Sequence, residues 1–125
     1  MSEAPRERIA PAQRLRSSIE YGHVKRDGTA RRGRHCLLLA LVRPGDPTKV
    51  GFIASKKGVG GAVQRNRARR RLREIVRRRW PRIEPVGHWL VFIANRTALT
   101  APHADLAAEV EHLLEESGAL VARGR

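Results

Sequence analysis

Residues 50–82 read VGFIASKKGVGGAVQRNRARRRLREIVRRRWPR, and three patterns follow one another in them. Val50 to Ser55 is a short apolar run with good β propensity, and it reads as a strand. Lys56-Lys57-Gly58-Val59-Gly60-Gly61 is a glycine-rich turn. From about Ala62 to Trp80, Ala68, Leu72, Ile75, Val76 and Trp80 return to one side at about 100° per residue. That spacing predicts a long helix, and Pro81 ends it.

Outward from this stretch the other elements fall into place. Ser17 and Glu20 have capping-box spacing. They start a short helix with Ile19, Tyr21 and Val24 on its apolar side and Gly28 at its end. Residues 29–34 (TARRGR) read as a basic linker. His35 to Val42 (HCLLLALV) is an apolar run closed by the turn signal Pro44-Gly45-Asp46-Pro47, so it reads as a strand that forms an antiparallel hairpin with 50–55. His88 to Asn95 (HWLVFIAN) is a third strand. Pro102 opens a last helix with Leu106, Val110, Leu113 and Leu114 at i, i+4, i+7 and i+8, and Gly118 closes it. The order α-β-β-α-β-α predicts a small α+β or α/β sandwich. Residues 1–13 read as a mobile basic leader, 14–118 as a single domain and 119–125 as a tail.

The chain has 125 residues, 26 Lys+Arg against 12 Asp+Glu, and a formal net charge of +14. Residues 1–82 hold 23 basic and 6 acidic side chains, a balance of +17, while residues 83–125 hold 3 and 6, a balance of −3. So localised a field points to a polyanionic partner. No apolar run approaches the roughly 20 residues a bilayer span needs, and no stretch resembles a signal peptide. Cys36 is the only cysteine, which rules out an intramolecular disulfide and a cysteine metal cluster and suits a reducing cytoplasm.

Ten arginines stand in the eighteen positions 65–82, with Glu74 as the only acid. A solvated face laced with i,i+4 ion pairs needs more carboxylates than that. Arg65, Arg69, Arg73 and Arg77 follow one another at i,i+4, a repulsive series unless an anion meets it. Asn66, Arg70, Arg73 and Arg77 adjoin the apolar stripe, while Arg67, Arg71 and Arg78 are expected opposite it. Arginine in place of lysine favours bidentate phosphate contacts and stacking on bases. Gly58, Gly60 and Gly61 before the helix N-terminus suggest converging backbone N–H groups that hold an anion, the alternative being a turn that needs positive φ.

The succession Val50-Gly51-Phe52-Ile53-Ala54-Ser55-Lys56-Lys57, Gly60-Gly61-Ala62-Val63, then Arg65-Asn66-Arg67-Ala68-Arg69-Arg70-Arg71-Leu72-Arg73-Glu74 resembles the signature of the bacterial ribonuclease P protein subunit. The resemblance covers roughly residues 14–117, with Arg14-Leu15 ahead of a short helix that carries Tyr21, Val24 and Gly28. It implies an α-β sandwich of three helices on a mixed sheet of about four strands, with a left-handed crossover. It also implies a division of labour. A catalytic RNA with Mg²⁺, held mainly by the RNA, cuts the 5′ leader from precursor tRNA. The protein helps by contacting that RNA and holding the single-stranded leader.

Carried onto this chain, the RNA-binding positions are Ser55, Lys56, Lys57, Arg65, Asn66, Arg67, Arg69, Arg70, Arg73 and Arg77. The cleft between the first helix and the sheet takes Tyr21, Val24, Lys25 and Leu39. No residue of the chain is catalytic or a metal ligand in this reading. Two departures stand out. Lys25 occupies a place where the family often has a second aromatic, and Cys36 and Leu39 stand where a cleft-facing aromatic is common. Stacking, worth about 1–3 kcal/mol per base, then rests mainly on Tyr21.

Two other classes compete. A self-sufficient metal nuclease needs clustered carboxylates or histidines near the basic surface, yet between Gly28 and Arg82 the only acids are Asp46 and Glu74. His103 and His112, nine apart, match no compact metal pair. A ribosomal structural protein or DNA-binding module shares the charge and size. Strands on both sides of the basic helix disfavour a helix-turn-helix, and the spacing of Ser55-Lys56-Lys57 before Arg65-Asn66-Arg67 favours the ribonuclease P reading.

Overall fold

The computed structural model describes residues 9–121. Three helices, α1 (Ser18–Asp27), α2 (Ala62–Arg79) and α3 (His103–Ser117), pack on four strands, β1 (Thr29–Arg32), β2 (Cys36–Pro47), β3 (Lys49–Ile53) and β4 (Val86–Ala94). The sheet order is β1-β2-β4-β3. β2 pairs antiparallel with β1 and β4, whereas β3 and β4 run parallel, joined by the crossover through α2.

Two expectations are corrected here. Thr29–Arg32 is an edge strand and not a linker; mostly exposed, with Ala30 opposite Leu39, it has no need of the alternation that announces a strand. β2 and β3 do not form a hairpin, because β4 lies between them. Trp89, Leu90, Val91 and Phe92 are buried in succession, so β4 needs apolar cover on both faces and takes a central place.

The sheet separates two cores. The larger, against α2 and α3, contains Leu38, Val50, Leu72, Ile75, Val76, Leu90, Phe92, Leu106 and Leu113. The smaller, under α1, is built from Leu15, Val24, Trp89 and Val91. The α2 stripe is fully buried at Ala68, Leu72, Ile75 and Val76, and its leucine, isoleucine and valine side chains each contribute about 1.5–3 kcal/mol. Gly118 adopts φ 83° after α3, the left-handed cap its position called for.

Helix α1 begins on its capping box: the Glu20 N–H donates to Ser17 Oγ at 3.1 Å, and Glu20 Oε1 accepts from the Arg16 N–H at 2.8 Å. Ile19 does not join its apolar side; it is 71% exposed. At the domain's ends the core reaches further than expected. Ile9 is buried, the Leu15 N–H donates to the Val50 carbonyl at 3.0 Å, and Ala119 and Leu120 are buried after α3. The rest of the expected leader and tail lies outside the described residues.

One carboxylate ties α3 to the β1–β2 turn. Glu109 accepts from the backbone N–H groups of Arg34 (3.0 Å), His35 (2.8 Å) and Cys36 (2.9 Å). Gly33 makes room for it, since a Cβ there would stand 2.2 Å from Glu109 Oε2.

Candidate nucleic-acid interface

Helix α2 divides into two electrostatic halves. Toward its C-terminus the arginines meet carboxylates. Arg77 and Arg78 pair with Glu74, while Arg79 and Arg82 reach Glu111 of α3 at 2.9 and 3.1 Å. The hydrogen bond from Arg77, more than any other interaction, holds the Glu74 carboxyl below its ordinary range. Toward the N-terminus, Arg65, Arg67, Arg69, Arg70 and Arg73 form no ion pair with a carboxylate among the described residues. Arg65 donates to the Gly60 carbonyl at 3.1 Å, and Arg69 reaches Asn66 Oδ1. Of the ten expected RNA-binding positions, Arg77 is thus the one already engaged by an acid.

Arg71 does not lie opposite the apolar stripe. Three residues beyond Ala68 and four before Ile75, it flanks that stripe. Its guanidinium donates to the Ala98 and Ala101 carbonyls, both at 2.7 Å. It binds α2 to the 3₁₀ turn Arg96–Leu99 that follows β4.

The glycine-rich turn is not an open anion cradle. The Gly58 N–H donates to Ser55 Oγ at 2.8 Å, Val59 N–H to the Ser55 carbonyl at 2.9 Å, and Gly61 N–H to Gln64 Oε1 at 2.7 Å. Val59 is fully buried and anchors the turn. Gly60, at φ 140°, supplies the conformation that the alternative reading anticipated. Ser55, Lys56 and Lys57 flank the turn, and both lysines are exposed.

A cavity of about 290 Å³ opens over β3, where α1 on one face of the sheet and α2 on the other reach past the edge strand. Arg14, Tyr21, Gly51, Phe52 and Arg73 line it, with Ile9, Leu15 and Val50. Burial raises the Tyr21 phenol above its ordinary pKa, with a hydrogen bond to the Phe52 backbone pulling the other way. Arg73 lies over the Phe52 ring at 5.4 Å. Its pKa is lowered first by burial and then by the charges of Arg14 and Arg69. Like charges gathered beside a hollow favour an anionic guest.

Of the four expected cleft residues, only Tyr21 lines this cavity. Val24 is fully buried beneath α1 and has no surface to offer a ligand. Lys25 is exposed, and Leu39 is half-buried against the smaller core. Sequence reasoning missed Arg14 and Phe52 as lining residues. Arg14 was visible as half of the Arg14-Leu15 pair, but only the packing of that segment against β3 carries it to the cavity.

Among the described residues no group of three or more His, Cys, Asp or Glu side chains could hold a metal ion. The chain's own donors therefore do not fit a resident Mg²⁺. His112 instead pairs with Glu116 at 3.3 Å. Among the described residues no helix is long and apolar enough to cross a membrane.

A three-helix, four-strand sandwich with one arginine-rich helix beside a basic edge cavity defines a small α+β protein of the ribonucleoprotein type. The family model for ribonuclease P matches residues 9–118. The ribonuclease P protein component of Symbiobacterium thermophilum is 42% identical over 114 residues, 90% of this chain and 97% of that protein. The corresponding component of Roseiflexus castenholzii is 42% identical over 86% of this chain and 87% of its own. The ribonuclease P protein of Staphylococcus aureus superposes with a TM-score of 0.75 at 22% identity, covering 87% and 98% of the two chains. That of Thermotoga maritima gives 0.72 at 22% identity, covering 82% and 96%. The chain belongs to the ribonuclease P protein component family, a ribonucleoprotein subunit of bacterial tRNA processing with an RNA partner.

Proposed function

We propose that the protein binds the catalytic RNA of ribonuclease P through the N-terminal half of α2 and the adjoining Ser55–Lys57 turn. It holds the 5′ leader of precursor tRNA between α1 and the sheet, at the β3 edge cavity. The observation that carries this reading is the split of α2. Arginines that face acids are neutralised within the fold, while Arg65, Arg67, Arg69, Arg70 and Arg73 are left for an external polyanion. Arginine forks suit phosphate oxygens, and release of counterions from RNA supplies much of the binding free energy.

The cavity fits a single-stranded nucleotide. Tyr21 offers a ring for stacking, and Arg14 and Arg73 offer charge to its phosphates. In this reading Mg²⁺ and the cleavage chemistry belong to the RNA, the protein supplies affinity and placement, and the complex works in the cytoplasm. The test is reconstitution. With a bacterial ribonuclease P RNA at low Mg²⁺, the protein is expected to restore 5′ cleavage of precursor tRNA, and to cleave nothing without the RNA. Cleavage by RNA-free protein, or no effect on the RNA's activity, contradicts the reading.

A further inference from the structure

A second hollow lies on the far side of α2 from the β3 edge. It encloses about 310 Å³ and is lined by Arg70, Arg71 and Glu74 of α2 and by His103, the first residue of α3. None of the roles assigned above accounts for His103 or for the open side of Glu74.

Its chemistry is that of a base pocket more than of a phosphate pocket. Glu74 brings a carboxylate into the lining, which repels a phosphate. Its ion pairs with Arg77 and Arg78 keep it ionised, so it is an acceptor at neutral pH. Arg71 brings a planar guanidinium that cannot wander, because Ala98 and Ala101 hold both its terminal nitrogens at 2.7 Å. His103 is exposed at the mouth, and with Arg70 it adds a ring and a second plane. Single-stranded RNA is recognised by such parts: planes on which an extruded base stacks, and a polar group on its Watson–Crick edge.

We propose that this pocket receives one unpaired base of the RNA partner, stacked between the His103 and arginine planes and read by Glu74. Guanine fits best, since its N1–H and N2–H donors stand side by side and match the two carboxylate oxygens. This rests on the reading of α2 as the RNA-binding helix. It extends the interface around that helix to the start of α3.

The test uses the whole protein and a transcript of a bacterial ribonuclease P RNA, with kethoxal, which modifies the Watson–Crick edge of unpaired guanine. The wild-type protein is expected to protect one unpaired guanine, and both Glu74→Gln and His103→Ala to leave that guanine reactive. His103→Ala is expected to weaken binding about tenfold, the scale of one stacking interaction, with an unchanged salt slope. It leaves the ion pairs of Glu74 in place and so separates loss of the pocket from release of Arg77 and Arg78. Identical kethoxal patterns for all three proteins on bound RNA overturn the proposal while the α2 reading stands. A salt slope lowered by about one in His103→Ala, together with tighter binding by Glu74→Gln, overturns it in favour of a phosphate. Wild-type protein that does not bind the transcript overturns both readings.

Discussion

The phenol of Tyr21 lies so close over Gly51 that a Cβ at position 51 would stand 2.3 Å from its oxygen and 2.6 Å from its ring. A helix on one face of the sheet thus places an aromatic ring over the edge strand, and only a bare backbone admits it there. Gly51→Ala is expected to push the ring out of the cavity. Affinity for precursor tRNA in the reconstituted complex should fall about tenfold, the scale of one stacked base, while affinity for leaderless tRNA is unchanged. Paired binding measurements on the two RNAs check this; an equal loss for both contradicts a leader role for Tyr21.

Arg71 and its neighbours separate a positioning arginine from binding ones. Arg71→Ala removes two bonds from a charged donor to carbonyls, and such bonds contribute about 1.5–3 kcal/mol each. Stability in urea should fall on that scale, while the salt slope of RNA binding stays near wild type because Arg71 is spent on the fold and not on a phosphate. A slope lowered by about one places Arg71 on the RNA instead.

Glu109 should matter more to the fold than an exposed acid does. It accepts from three consecutive backbone N–H groups, and Glu109→Ala leaves them without that partner at about 1–3 kcal/mol per buried group. Gly33→Ala, whose Cβ would meet the same carboxylate at 2.2 Å, should destabilise in the same direction. Cys36 beside it is fully buried, and burial followed by the Glu109 charge pushes its thiol pKa far up. Labelling by a thiol reagent should therefore track global unfolding; rapid labelling of native protein argues against this packing.

Stability should also fall in acid for a traceable reason. The Arg16 backbone N–H, then the Lys49 ammonium at 2.8 Å, hold the Glu20 carboxyl below its ordinary 4.5. A depressed folded-state pKa gives stability that is complete above the unfolded value and lost as pH falls through the folded one. Denaturation midpoints should decline below about pH 4.5, and Glu20→Gln should make that decline shallower. An unchanged acid profile in the variant would show that Glu20 is not its source.

Much of this architecture is legible because local chemistry announces it. Ser17 with Glu20, Pro81 and Gly118 mark helix ends by capping and steric rules that act within a few residues. The arginine helix and its buried stripe follow from a period of 3.6. What is not legible is long-range. The place of β4 between β2 and β3 depends on pairing across the chain, and β1 is an exposed edge whose side chains carry no alternation. Arg71 looks like its neighbours until Ala98 and Ala101 are brought beside it. Equally, the N–H groups of Gly58 and Gly61 look available until Ser55 and Gln64 turn back to accept them. For the site, the charge and order of residues indicate the binding helix, but the cavity joining Arg14, Tyr21 and Arg73 exists only once α1 and α2 meet over one strand.

Whether α2 meets RNA with its acid-free half is tested most directly by the salt dependence of binding to the catalytic RNA for two double variants. Arg67→Ala with Arg69→Ala should lower the slope by about two, one for each phosphate that no longer meets an arginine. Arg78→Ala with Arg79→Ala removes arginines already paired with Glu74 and Glu111 and should leave the slope near wild type. Equal reductions in the two, or a larger one in the second, would contradict this assignment of the helix.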